Sequence, residues 1–65
     1  MGIHHSIQLV AELSNQEAEG YAQFLKRVGF SDYRNNAADQ DEAYRMLAAG
    51  EKIRAALAEA GYAPR

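Results

Sequence analysis

The sequence predicts an α+β fold that is mostly helical, in which one N-terminal strand precedes a helix, a short helix and a long helix (β-α-α-α). Three observations predict this order: apolar and polar residues alternate near the N-terminus, apolar residues recur every three or four positions in two later stretches, and capping signals mark the borders. The predicted strand covers about 3–13 and the predicted helices about 15–28, 32–37 and 40–60. With 65 residues the chain has room for a single domain, 1–65.

The N-terminal stretch IHHSIQLVAEL has the period-two pattern of a strand with one buried face. A strand needs a neighbour for its backbone donors and acceptors, and no second strand of comparable quality follows. We therefore expect residues 3–13 to pair with their two-fold copy as an antiparallel ribbon in a homodimer. The alternatives are one extended segment packed on the helices, or a disordered N-terminus. The apolar face of the candidate dimer strand consists of Ile3, His5, Ile7, Leu9 and Ala11.

The first helix begins with SNQE, in which Ser14 and Glu17 have the spacing of a capping box. Its buried face is predicted from the three- and four-residue spacing of apolar side chains. We expect Gly29 to close the helix in the left-handed conformation, with Phe30 packed back on the last turn. The residues of the predicted buried face are Ala18, Tyr21, Ala22, Leu25 and Val28, widened by Phe24.

The two later helices have their own start and stop signals. Ser31 is a candidate cap for the short helix, and Asp39 with Glu42 forms a second capping box for the long one. Gly61 is the expected stop, where Tyr62 packs back and Pro64 prevents continuation. The interior glycine of the long helix, at position 50, costs about 1 kcal/mol against alanine and marks a close helix crossing.

Composition restricts the class of protein further. A domain of this size buries only about 60% of its unfolded surface and usually adds a disulfide, a metal or a partner chain. The chain has no cysteine, so neither a disulfide nor a thiolate metal site is available, and oligomerisation remains. No apolar run approaches the roughly 18 residues that span a bilayer, and the N-terminus lacks the pattern of a signal peptide. We therefore expect a cytoplasmic protein that does not enter a membrane.

The net charge of −2 is evenly distributed: residues 1–38 carry three basic and four acidic side chains, and residues 39–65 carry four and five. This balance disfavours a large non-specific nucleic-acid surface, so another protein is the more favoured partner.

Groupings that would carry chemistry are missing from the sequence. His4 and His5 are adjacent on the predicted strand, so their side chains point to opposite faces and do not share an ion. Asp39, Asp41 and Glu42 lack the glycine of a calcium loop and are explained as helix-capping carboxylates. No serine has a histidine and an aspartate in a matching arrangement, and no Gly-rich phosphate loop is present. We expect no metal, no cofactor, no small-molecule substrate and no enzymatic activity.

The stretch GFSDYRNN, residues 29–36, contains more than a turn between helices requires. Tyrosine, arginine and amide side chains suit protein interfaces, which favours an exposed recognition corner. The alternative is a plain turn in which Tyr33 is buried while Asn35 and Asn36 end the helix. The candidate partner-contact residues are Lys26, Arg27, Tyr33, Arg34, Asn35 and Asn36.

Over residues 5–38, the order of strand, helix and a GFS sequence that opens another helix resembles the ribbon-helix-helix DNA-binding proteins. In that family a two-fold β-ribbon enters the major groove, so the resemblance implies that Ser6, Gln8 and Val10 read bases, and glutamine suits adenine. It also implies a phosphate contact near Ser31. A DNA-binding transcriptional regulator is therefore the alternative function.

Residues 14–65 more closely resemble an uncharacterised family of short proteins carried on bacterial mobile elements. The resemblance rests on AQFLKRVGFSDYRNNA, DEAY and KIRAALAEAGYAPR. It implies an accessory of a plasmid, integrative element or phage that acts by binding, as a regulator or as an inhibitor of host defence such as an anti-CRISPR protein. The leading expectation is a small, non-enzymatic, homodimeric module that binds another protein.

Overall fold

Three helices form the part of the chain that the computed structural model describes, residues 5–63. They are α1 (Asn15–Arg27), α2 (Phe30–Asn35) and α3 (Gln40–Glu59). The long helix α3 packs against both α1 and α2. No helix among residues 5–63 has the length and apolarity that crossing a membrane requires.

The predicted N-terminal strand is wrong. Residues 5–13 have no regular secondary structure, and their backbone groups form no hydrogen bonds with other described residues. Alternation determines which side chains share a face, but a strand forms only where a neighbour satisfies its backbone, and the described chain offers none. The predicted α+β class and the predicted strand pairing of two copies are therefore wrong as well. The exposed, irregular positions include His5, Ser6, Ile7, Gln8, Leu9, Val10 and Ala11, while Ile3 and His4 lie outside the described residues.

The start of α1 confirms the predicted capping box. The backbone N–H of Glu17 donates to Ser14 Oγ at 3.0 Å, and the Ser14 N–H donates to Glu17 Oε1 at 2.8 Å. Of the predicted buried face, Ala18, Ala22 and Leu25 are buried.

The connection between α1 and α2 differs from the prediction at Gly29. Its φ of −112° and ψ of 177° are extended, so it does not close α1 in the left-handed conformation. Gly29 is instead the residue that precedes α2, and its N–H donates to Asp32 Oδ2 at 2.8 Å. The predicted cap Ser31 therefore lies inside α2. The helix begins before it, because the Asp32 side chain accepts a hydrogen bond from the backbone N–H of Gly29. Phe30 begins α2 and packs on Tyr44 of α3 with ring centroids 4.8 Å apart.

Local side-chain and backbone hydrogen bonds define both ends of α3. The Asp39 side chain accepts from the Glu42 N–H at 2.8 Å, as predicted, but Glu42 Oε1 accepts from the Ala38 N–H at 2.6 Å and not from the Asp39 N–H, so the second capping box is only half formed. The C-terminal end confirms the predicted glycine stop, since Gly61 has a φ of 101° and Tyr62 packs back on the core. The Tyr62 N–H donates to the carbonyl of Leu57 at 2.8 Å, which is the bond of a Schellman motif. Pro64 lies outside the described residues.

The core is small and consists mainly of alanine. Leu25 and Leu57 are its two large buried side chains in the described chain, and Val28 and Tyr62 pack at its edge. The Tyr62 hydroxyl also donates to the side-chain oxygen of Asn15, which joins the end of α3 to the start of α1. Eight large apolar side chains of the described residues remain exposed: Ile7, Leu9, Val10, Leu13, Tyr21, Phe24, Tyr44 and Ile53.

Candidate functional site

An open groove of about 670 Å³ lies between α1 and α2, and we call it the α1–α2 groove. Both helices pack on α3, and the groove is the space between them. Helix α1 contributes a wall formed by Gln23, Phe24 and Arg27. The opposite wall comes from α2 and its end and consists of Asp32, Tyr33 and Asn36.

Tyr33 is held in the wall of the groove by a glycine of α3. A Cβ on the buried Gly50 would overlap the Tyr33 hydroxyl and would lie 3.2 Å from Tyr33 Cζ. The same Cβ would lie 3.7 Å from Leu25 Cδ2, so the space above Gly50 is already filled. A close helix crossing was predicted at this glycine. A close approach to α3 is present there, but it is made by a tyrosine ring and not by another helix backbone.

The environment of this ring also affects its acidity. Burial of the ring raises the pKa of Tyr33 above its ordinary value of 10.0, and the nearby Tyr21, Glu51 and Asp32 raise it further. Each of these effects disfavours the phenolate. Tyr33 therefore stays protonated to a higher pH than an unperturbed tyrosine.

An exposed aromatic pair stands on the α1 side of the groove. The rings of Tyr21 and Phe24, three residues apart on one face of α1, stack with centroids 5.6 Å apart and an interplanar angle of 20°. Tyr21 is 44% exposed and Phe24 is 53% exposed, so neither belongs to the core. Gly20, one turn before Phe24, also lines the groove and has no heavy atom near the place of a Cβ, which keeps this end wide.

The structure brings three of the six predicted contact residues together. Arg27, Tyr33 and Asn36 line the α1–α2 groove. Asn36 also helps to end α2, as in the alternative of a plain turn, because its Nδ2 donates to the Asp32 carbonyl at 2.8 Å. Arg34 lies outside the groove, where its Nη1 donates to the Ala37 carbonyl at 3.3 Å. Lys26 and Asn35 are exposed and do not line the groove.

Sequence reasoning missed Gln23, Phe24 and Asp32. Phe24 follows the helical period of the buried face, and its position there concealed that α2 does not cover it. Asp32 carried a signal that was available, because its spacing from Gly29 is that of a residue that accepts from the N-cap backbone.

The groove combines an apolar surface with a hydrogen-bonding rim. Phe24, Val28 and the Tyr33 ring supply the apolar part, while Gln23 and Arg27 supply donors at its border. Among residues 5–63, no three histidine, aspartate or glutamate side chains are grouped so as to hold a metal ion. Such a surface suits the burial of an apolar side chain from a binding partner, with polar contacts around it.

A second groove, of about 360 Å³, lies between residues 9–11 and α3, and we call it the N-terminal face. Leu9 and Ala11 form one side of this face. The side supplied by α3 consists of Lys52, Ile53, Ala56 and Leu57.

A family model described as "Family of unknown function (DUF7706)" matches residues 1–65, the whole length of the chain. No curated protein and no solved structure matches it. The match therefore brings no ligand or reaction with it.

Proposed function

The chain belongs to this family of unknown function, and we propose that it is a small non-enzymatic module that binds another protein through the α1–α2 groove. The observation that carries the proposal is the exposed Phe24 ring beside the apolar part of that groove. Covering an aromatic side chain that is half exposed in the free protein removes its remaining apolar area from water, which favours binding.

The construction of the groove favours tight recognition. Tyr33 rests in the gap above Gly50, so little side-chain entropy is lost when a partner contacts it. Aromatic residues and arginine are the side chains that most often carry the binding energy of interfaces, and Phe24, Tyr33 and Arg27 meet in this groove. We expect the partner to insert one large apolar side chain here.

Charge favours a protein partner over nucleic acid. The net charge is −2, and Arg27 is the one cationic side chain among the groove-lining residues of the described chain. A nucleic-acid site needs several cations that follow the phosphate backbone. The alternative DNA-binding function required a two-fold ribbon that presents Ser6, Gln8 and Val10, and these residues lie in the irregular segment. We therefore do not carry it forward.

We place this module in the bacterial cytoplasm as an accessory of a mobile element. Support for this setting comes from the resemblance of residues 14–65 to short mobile-element proteins. We propose that the module acts there by binding a host protein, and inhibition of a defence system, as by an anti-CRISPR protein, is one such use. The groove is the part of the chain that we assign to this contact.

The test is a selection of random phage-displayed peptides on the purified protein, followed by NMR mapping of each selected peptide. We expect selected peptides to carry an aromatic or large aliphatic residue and to shift the amide resonances of Gly20, Phe24 and Tyr33. Phe24→Glu should abolish selection, whereas Leu13→Glu, at an apolar position that is 50% exposed and does not line the groove, should not. Peptides whose resonance shifts lie outside the groove would contradict the proposal.

A further inference from the structure

We propose that two copies of this chain associate through the N-terminal face, by burial of side chains and without pairing of backbones. The first observation is the area that the chain leaves uncovered. Its accessible surface is 5684 Å². A compact folded monomer of 7.2 kDa exposes about 4,100 Å². The excess of about 1,600 Å² counts the whole surface of the chain, including the exposed irregular segment that contributes Leu9 and Ala11 to this face, and burial of half of it would match the roughly 800 Å² that each partner contributes to a standard interface.

The second observation is the size of the core. Leu25 and Leu57 are the two large buried side chains among residues 5–63, and they remain 4% and 9% exposed. A cysteine-free chain of 65 residues has no disulfide to compensate for so small a core, and burial against another chain is the remaining source of stability. A second copy is the partner that is present at the concentration of the chain itself.

The chemistry of the N-terminal face suits self-association. Five of its six lining residues are apolar, and Lys52 is the one charged residue among them. In a two-fold interface the same surface patch of both copies is in contact. A charged side chain near the axis would therefore lie close to the identical side chain of the other copy and repel it. Obligate homodimer interfaces are correspondingly apolar and poor in charge. Leu9 is 77% exposed and Ile53 39% exposed, so both have area to bury.

This face is distinct from the α1–α2 groove, since the two share no lining residue. The association therefore leaves the groove of each copy open to its own partner. A dimer with two grooves would bind a repeated or dimeric target with a gain in avidity.

The experiment measures the mass of the purified chain by sedimentation equilibrium at loading concentrations from about 1 µM to about 1 mM, which covers weak and moderate affinities. We expect a mass of twice 7.2 kDa at the upper end. Leu9→Glu and Ile53→Glu should each return it to one chain, while Tyr44→Glu, outside this face, should leave the dimer intact. Leu9 lies outside the helices, so Leu9→Glu separates association from folding, and circular dichroism checks that helicity is retained.

A single-chain mass for the unmodified protein at every concentration would overturn the inference. A dimer that survives both glutamate substitutions would overturn it as well, because the interface would then lie elsewhere. Peptide binding at the α1–α2 groove should persist in the Leu9→Glu monomer, so a failure of this inference is distinguishable from a failure of the proposed function.

Discussion

Gly50→Ala is a substitution whose effect depends on one contact. Alanine in a helix interior is favoured over glycine by about 1 kcal/mol. The new methyl group would overlap the Tyr33 hydroxyl and press on its ring, with Cζ at 3.2 Å. Overpacking of this kind costs about 2 kcal/mol. The two effects leave the variant about 1 kcal/mol less stable, which lowers the Tm by about 4–8 °C in a domain of this size.

Urea unfolding followed by circular dichroism, at one fixed protein concentration, measures this change. Gly20→Ala is the matched control, because a Cβ there meets no heavy atom within 4 Å and only the gain in helix propensity applies. We expect it to stabilise the protein by up to about 1 kcal/mol. In a Tyr33→Phe background the clashing hydroxyl is gone, so Gly50→Ala should become neutral or stabilising. Equal stabilisation by both glycine substitutions in the unmodified background would refute the close contact.

Three further predictions concern local contacts. Ser14→Ala should destabilise the protein by about 1 kcal/mol in urea unfolding, because it removes the N-cap bond of α1. Ser31→Ala should change the stability by no more than about 0.5 kcal/mol. Similar losses for the two variants would contradict the cap assignment. Tyr62→Phe removes a hydrogen bond between α3 and α1 and should cost about 1 kcal/mol by the same assay, while Tyr44→Phe removes none within the described chain; equal effects would argue against that bond. Because the folded-state pKa of Tyr33 is raised, the unfolded chain loses the Tyr33 proton first as the pH rises past about 10, so the stability of the protein falls there. Tyr33→Phe should lose less stability over that pH range in thermal unfolding. An identical alkaline loss of stability in this variant would contradict the raised pKa.

Local hydrogen bonds explain which parts of the fold were predictable from the sequence. The capping box at Ser14 and the stop at Gly61 involve residues within a few positions of one another, so spacing alone reveals them. The strand failed because its stability depends on a neighbour that no local pattern supplies. The prediction for Gly29 was wrong because a glycine at this place can either end α1 in the left-handed conformation or precede α2 in an extended one. The hydrogen bond from its N–H to Asp32 accompanies the extended conformation.

The candidate site was predictable only in part for a related reason. Arg27, Tyr33 and Asn36 were found because their residue types suit interfaces. Phe24 was assigned to the buried face because helical periodicity indicates a face but not how much of it the next helix covers. That coverage depends on where α3 places α2, which is a tertiary property that no spacing in α1 encodes.

The most direct test of the claim that the α1–α2 groove recognises proteins is titration calorimetry of one selected peptide against the unmodified chain, Phe24→Glu and Leu13→Glu. We predict that Phe24→Glu weakens binding at least about tenfold, which is about 1.4 kcal/mol, while Leu13→Glu leaves the affinity within about twofold. An affinity that is unchanged by Phe24→Glu, in a variant that retains its helicity, would contradict it.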